Sequence, residues 1–451
     1  MRILLWHGYL LSGTGSNIYT ANVARAWRTQ GHDVVLMCQE RNAARFDFVD
    51  FDGIADRETA RALGGVVPGR CALLRPPIGE VLPVYVYDEY EGFTAKRFVD
   101  LTDDELEHYT ASNVAAMTAV IEEMRPDAII TGHEVMGPYI ARLACEATET
   151  GYITKLHGSA LEYAVKLQDR YLEFATSGLD AAERVVGGSR YMLEAAASVI
   201  PGRWRDDALV VNPGCDIDLF TPVDKTQPER PAVAYVGKLI ASKGVHHLLA
   251  AVGATTSGPM ELVVVGFGGF ERQLKALAGA LATGEAGHAL ALAETGDGTP
   301  LETLAAFLAS DPGPGYWKRQ AEVPVSFPGR LEHGPLSERL PYFEALVVPS
   351  VVPEAFGMVA AEAAACGVLP IVPRHSGIGE VGAALEEHLG MPGLLTFDPA
   401  APIGSMAAAI DRVLGLGFER RKELGRAAAE VARARWSWVT VAKRLLAAAT
   451  D

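Results

Sequence analysis

The stretch PSVVPEAFGMVAAEAAACGVLP, residues 349–370, carries more information than any other in this chain of 451 residues. Two glutamates, Glu354 and Glu362, stand with seven residues between them. Phe356-Gly357-Met358 leads from a proline-bearing loop into an alanine-rich segment that reads as a helix. Gly367 is placed to end that helix, and Pro370 lies just beyond it. A glycine at the start lets the backbone approach a ligand closely, and the free N–H groups of the first turn form an anion site. Glu354 falls at the mouth of this loop. Glu362 falls in the second helical turn, within reach of a neighbouring hydroxyl pair.

Working outward, apolar runs alternate with helical patterns over the whole chain. In the second half, 232–236, 262–265, 345–348 and 369–372 read as buried strands, with helices between them. In the first half, 3–6, 33–38, 128–131 and 153–156 do the same, with helices at 17–30 and 103–124. This alternation predicts an α/β chain with parallel sheets covered by helices on both faces. Residues 212–231, rich in Pro, Asp and Thr, read as a linker, which gives two doubly wound domains with a hinge near 222. The predicted domains are 1–222, joined by a C-terminal helix over 436–451, and 223–435. Two segments break the alternation. Residues 47–93 read as a β-rich hairpin excursion or an acceptor-facing loop. Residues 281–322 read as a surface helical insert, with Thr299 capping and Pro300 opening a helix over 301–309.

Tyr235-Val-Gly237-Lys238-Leu-Ile-Ala-Ser-Lys243-Gly244 closes the first strand of the second half. Gly237 allows a tight exit. Lys238 and Lys243 stand five apart around a short loop, so both can converge on one anion. Two cations suit a departing diphosphate, whose charge grows as its bond to a sugar breaks. Gly13-Thr-Gly15-Ser-Asn17 follows the first strand and has the shape of a phosphate-cradling loop, although the full dinucleotide fingerprint G-x-G-x-x-G is not met. His157, in Lys155-Leu-His157-Gly, sits at the C-terminal end of a strand, where ligands of α/β proteins bind. His133 ends the preceding strand and competes with it for an acceptor contact; His7, after the first strand, is a third. Asp103-Asp104 starts a helix, and no Asp-x-Asp metal site is apparent.

The totals bound the rest. Hydrophobic residues make up 49% of the chain, enough for sizeable cores, and the formal net charge is −16. That balance disfavours nucleic acid and anionic lipid as partners. The five cysteines form no C-x-x-C pair and suit a reduced, cytoplasmic setting. The first fifteen residues read as a buried strand and glycine loop, not as a signal peptide. No apolar run approaches the length of a membrane span.

The segment 349–370, with its Glu-x7-Glu spacing, resembles the corresponding motif of retaining family-4 glycosyltransferases of the GT-B fold, a superfamily that includes sucrose-synthase-like and glycogen-synthase-like members. Gly237-Lys238 and Lys243-Gly244 are similar to its G-R-x4-K-G pattern, with Lys238 in place of the arginine. Asn212-Pro-Gly-Cys-Asp216 resembles its P-N-G-V-D segment in changed order, and Ser376-Gly-Ile-Gly-Glu-Val381 resembles its G-G-x-x-E-(I/V) turn. Val265-Gly266-Phe-Gly-Gly269 resembles its G-x-G-P-E segment without the proline. The resemblance implies two Rossmann-like domains facing each other across a cleft, the first binding acceptor and the second a nucleotide sugar, with the C-terminal helix crossing back. It implies that Gly13, Gly15 and Gly266 border the donor, that Arg330 edges the nucleobase and that His157 approaches the transferring sugar. Glu362 would bind the ribose, while Glu354 and the N–H groups of Phe356, Gly357, Met358 and Val359 hold the sugar. Asp216 and Phe220 would brace the hinge, and His133 and Asn17 would face the acceptor.

The expected function is metal-independent, retaining transfer of a hexose from a UDP- or GDP-sugar to a small soluble acceptor. The nucleotide sugar is a co-substrate, and no cofactor is expected. A monomer and a homo-oligomer both stay open. Three alternatives stand beside this: a nucleotide-sugar epimerase on the same fold, which needs acid and base carboxylates; a non-catalytic sugar-nucleotide-binding subunit; and a phosphorylase carrying pyridoxal phosphate.

Overall fold

The computed structural model describes residues 1–64, 69–86, 90, 92–295 and 301–450. The chain forms two compact units, Met1–Pro213 with Trp438–Asp451, and Gly214–Ser437.

The first unit contains β1 (Arg2–Trp6), β2 (Asp33–Met37), β3 (Phe51–Ile54), β4 (Cys71–Arg75), β5 (Val81–Val84), β6 (Thr94–Arg97), β7 (Ala128–Gly132), β8 (Ile153–Lys155), β9 (Arg184–Gly187) and β10 (Leu209–Val210). Eight of these make one sheet in the order β10-β9-β8-β7-β1-β2-β4-β3, and every pairing is parallel. Strands such as β1 and β2 are buried over nearly their whole length, as continuous runs in a doubly covered parallel sheet must be. The helix Asp103–Met124 begins with a capping box between Thr102 and Glu105, which accounts for the acidic pair Asp103-Asp104 as first-turn residues. The C-terminal helix Trp438–Thr450 packs on the helix Gly15–Thr29, where the buried Trp27 donates its indole N–H to the Ala442 carbonyl at 2.9 Å.

The second unit contains β11 (Ala232–Lys238), β12 (Glu261–Phe267), β13 (Val325–Gly329), β14 (Ala345–Val347), β15 (Leu369–Pro373) and β16 (Thr396–Phe397), again all parallel, in the order β13-β12-β11-β14-β15-β16. Gly237 of β11 pairs with Gly266 of β12, and a Cβ added at Gly266 would lie 1.9 Å from the Gly237 carbonyl oxygen. These two glycines therefore bring the strand ends into close approach. The five cysteines are buried free thiols.

The chain passes between units at Pro213 and Ser437, not at 222 and 436. The reason is packing. Phe220 and Trp436 are both buried in the core of the second unit, and Cys215 donates its backbone N–H to the Trp436 carbonyl at 2.7 Å. The segment 47–93 is not a hairpin. β3 and β4 are parallel and joined through the helix Arg57–Leu63, and β5 and β6 form a separate parallel pair. The segment 281–322 is more than a surface pair: helices Ala286–Thr295, Glu302–Ala309 and Pro314–Glu322 follow one another, and Leu304 and Leu308 enter the core. The expected cap at Thr299 and Pro300 lies outside the described residues. No helix among the described residues is long and apolar enough to cross a membrane.

Candidate active site

In the second unit, the loops after β11 and β14 are latched together. Val351 donates its N–H to the Ser242 carbonyl at 3.1 Å, and Gly244, at φ +70°, lies where any Cβ would meet the Pro349 carbonyl at 1.9 Å. This latch brings Lys243 Nζ to 2.8 Å from Glu354 Oε1. The Ser350 hydroxyl donates to the same carboxylate oxygen. Glu354 is held from a third side: its N–H donates to Ser376 Oγ at 3.0 Å, and its carbonyl accepts the Gly377 N–H at 2.9 Å. The sequence does not mark these holders of Glu354: Ser350 lies four residues away in the same loop with no motif to distinguish it, and Ser376 and Gly377 come from a separate loop more than twenty residues on.

Gly357 caps the helix Met358–Ala365 at φ +89°, and a Cβ there would strike the Ile378 side chain. Phe356 turns inward, edge-on to Trp436 at 5.8 Å, so its ring is core. The N–H groups of Met358 and Val359 have no partner among the described residues. At the far end, Gly367 at φ +73° and Val368 donate back to Ala364 and Ala363, which closes the helix in a Schellman arrangement.

Glu362 lies on this helix with its side chain 12% exposed, 3.8 Å from His333 Nε2. Burial pushes its carboxyl up to about 7, and the charge of Asp216 adds to the effect. The His333 ring is set edge-on to Phe220 at 6.0 Å. Lys238 is exposed at the end of β11 and makes no ion pair among the described residues. Arg330 follows β13, pairs with Glu332 at 2.8 Å and lies over the exposed Phe267 ring at 4.8 Å.

In the first unit, three histidines meet at the C-terminal ends of β1, β7 and β8. His7 and His133 are stacked at 5.7 Å, and His133 and His157 lie 4.9 Å apart. Burial holds all three imidazoles below the usual histidine range, His7 at about 4, so they are neutral hydrogen-bonding groups near pH 7. Neither ring nitrogen of the buried His133 has a partner among the described residues. Its backbone is left-handed at φ +72°, an unusual conformation for a histidine and one that concentrates at functional sites. Asn17 is occupied within the chain: Nδ2 donates to the Ser12 carbonyl at 2.6 Å, and Oδ1 lies 2.9 Å from His7 Nε2. Gly13, at φ +99°, and Gly15 open the helix beside them. Among the described residues, no group of three His, Cys, Asp or Glu side chains could hold a metal ion.

Two all-parallel α/β units, the second with the E-x7-E spacing at a helix start, have the GT-B fold. The family models agree. Residues 14–214 match the glycosyl transferase 4-like domain, and residues 316–431 match glycosyl transferases group 1. The chain therefore belongs to the GT-B glycosyltransferases with a family-4-like domain. It is similar over 99% of its length to the sucrose-phosphate synthase of Thermosynechococcus elongatus, with 97% of that chain covered, 18% identity and a TM-score of 0.58. It is similar to Anabaena HepE in complex with UDP and glucose, with 99% and 98% of the two chains covered, 15% identity and a TM-score of 0.59. It is also similar to the lipopolysaccharide outer core galactosyltransferase WaaB, with 99% of each chain covered, 15% identity and a TM-score of 0.60. At these identities the likeness establishes the fold. No curated protein sequence matches the chain.

Proposed function

We propose that this glycosyltransferase is a retaining, metal-independent hexosyltransferase that takes a UDP- or GDP-sugar as donor and a small soluble acceptor. The observation that carries the reading is the Lys243–Glu354 pair, 2.8 Å apart, beside a helix start whose Met358 and Val359 N–H groups are free. In this reading the second unit binds the donor. Lys243 and the exposed Lys238 face the diphosphate, Glu362 receives the ribose hydroxyls, and Glu354 with the first-turn N–H groups holds the sugar. Arg330, over Phe267, borders the base, and Gly237 and Gly266 keep the strand ends close beneath it. In the first unit, the neutral His133 is assigned to the acceptor and the neutral His157 to the transferring sugar. The solved structure of HepE with UDP and glucose supports a UDP-sugar as the first donor to test.

The chemistry follows from charge placement. The bond from C1 to the diphosphate oxygen breaks, and the cations and helix start stabilise the charge that grows there. The acceptor oxygen bonds to C1 on the same face, and its proton passes to the departing phosphate oxygen, so no separate carboxylate base is required. No cofactor enters this scheme. Reduced, buried thiols support a cytoplasmic setting.

The test has two parts. A thermal-shift panel of UDP-, GDP- and ADP-sugars identifies the donor; ligand at about 100 times its Kd adds roughly 2.7 kcal/mol. NMR of the product then reads the anomeric coupling with EDTA present. An α-linked product from an α-donor is expected. A β-linked product, or activity wholly lost with EDTA, would overturn the mechanism.

A further inference from the structure

Glu134, the residue after the strained His133, is wholly buried. Its Oε1 accepts the backbone N–H of His157 at 3.1 Å and that of Gly158 at 2.6 Å, across from the neighbouring strand end. Gly158 is left-handed at φ +89°, and the chain beyond it winds into an irregular π-helical turn at Leu161–Val165. Such turns are rare and appear often at functional sites. The loop that carries His157 therefore has no regular secondary structure to fix it. The backbone N–H groups of His157 and Gly158 both go to one carboxylate, while the Leu156 N–H donates to the Val186 carbonyl and the Gly158 carbonyl accepts the Glu162 N–H.

The geometry makes Glu134 an anchor, since both amides converge on one oxygen. Burial raises the Glu134 carboxyl above the usual carboxylate range, and the N–H groups of Gly158, His157 and Leu161 work against that rise; Oε2 has no hydrogen-bond partner among the described residues. Lys155, two residues before His157, is buried as well; burial lowers its ammonium to about 7, and the charge of Glu134 works partly against that. Lys155 Nζ does not pair with that carboxylate. It donates to the Val211 carbonyl at 2.8 Å and lies 5.5 Å from the centre of the Tyr19 ring, which is itself edge-on to His157 at 5.3 Å. His157 is thus set by Tyr19 on its ring and by Glu134 on its backbone.

We propose that Glu134 is a positioning residue, which aims the His157 imidazole by clamping the His157–Gly158 amides. This rests on the reading that His157 touches the transferring sugar. It adds a residue that never meets substrate yet governs turnover through one that does. An error of about 1 Å in such a group costs on the order of 10² in rate.

The experiment is a double-mutant cycle on kcat and donor KM, with the sugar nucleotide selected by the thermal-shift panel and UDP-glucose as first probe. Unfolding midpoints are measured in parallel. Glu134→Ala is expected to lower kcat about tenfold to a hundredfold with donor KM little changed. In the His157→Ala background the same substitution leaves kcat unmoved, while the drop in unfolding midpoint is equal in both backgrounds. Glu134→Gln keeps an acceptor oxygen at the same place and recovers most of kcat. Should Glu134→Ala fail to fold, Glu134→Asp closes the cycle, because it draws the carboxylate back by one methylene. Effects that multiply in the double variant, with His157→Ala itself impaired, overturn this inference alone. A His157→Ala enzyme with wild-type kcat overturns the role of His157, and the inference with it.

Discussion

Lys243 Nζ sits 2.8 Å from Glu354 Oε1, joining a residue after β11 to one after β14 across 111 positions of sequence. Each had a separate ligand in view from the sequence, the lysine a diphosphate and the glutamate a sugar. Their pairing means that each holds the other in place before any donor arrives. It also means that loss of either leaves a partly buried charge without its partner.

Lys243→Ala is accordingly expected to lower turnover by about 10²–10³ with donor saturating, the magnitude typical for removal of one group that stabilises developing charge. Lys238→Arg, at the exposed end of β11, is expected to keep near wild-type turnover. Initial rates at saturating donor measure both, and unchanged turnover in Lys243→Ala would exclude the diphosphate assignment.

The two glutamates should separate by ligand. Glu362→Ala is expected to weaken binding of free nucleotide, whereas Glu354→Ala spares free nucleotide and impairs use of the whole donor. Isothermal titration with UDP and GDP, beside turnover with the sugar nucleotide, tests the division. Equal losses of free-nucleotide affinity in the two variants would refute it.

Glu362 also predicts a pH dependence. Its carboxyl is raised to about 7 in the folded chain by burial, with Asp216 adding. In the unfolded chain it ionises near 4.3. Between those values the native state holds a proton that the unfolded state has lost, so this group's stabilisation is full below the lower value and is lost as pH rises through 7. Glu362→Gln removes that loss. The unfolding midpoint of the variant relative to wild type should therefore rise between pH 5 and pH 8, and a constant difference would count against it.

Glu344 stands apart from the site and bears on stability. It is 1% exposed, with Arg421 Nε at 2.8 Å and Lys225 Nζ at 3.1 Å. Breaking a buried ion group by removing one partner leaves uncompensated charge and typically costs about 3–5 kcal/mol. Glu344→Ala should lower urea stability by that order. A loss below about 1 kcal/mol would show that water reaches the two cations.

Local pattern alone determined a good deal about this protein. Continuous apolar runs separated by helical periods dictate parallel strands under helices, because a strand buried on both faces has no polar side to show. Gly357 and Gly367 mark the ends of the Met358–Ala365 helix, because both positions are left-handed. What no local pattern could decide is where residues distant in sequence meet. The Lys243–Glu354 pair depends on the order β11-β14 in the sheet, and the clamp from Glu134 to His157 depends on β7 lying beside β8. The unit boundary at Pro213 depends on which core takes Phe220, and the parallel register of β3 and β4 on a helical crossover that the 47–93 composition does not reveal. Periodicity reports which face of an element is buried. Strand order and side-chain packing decide what that face is buried against, and so which charges come within 3 Å of one another.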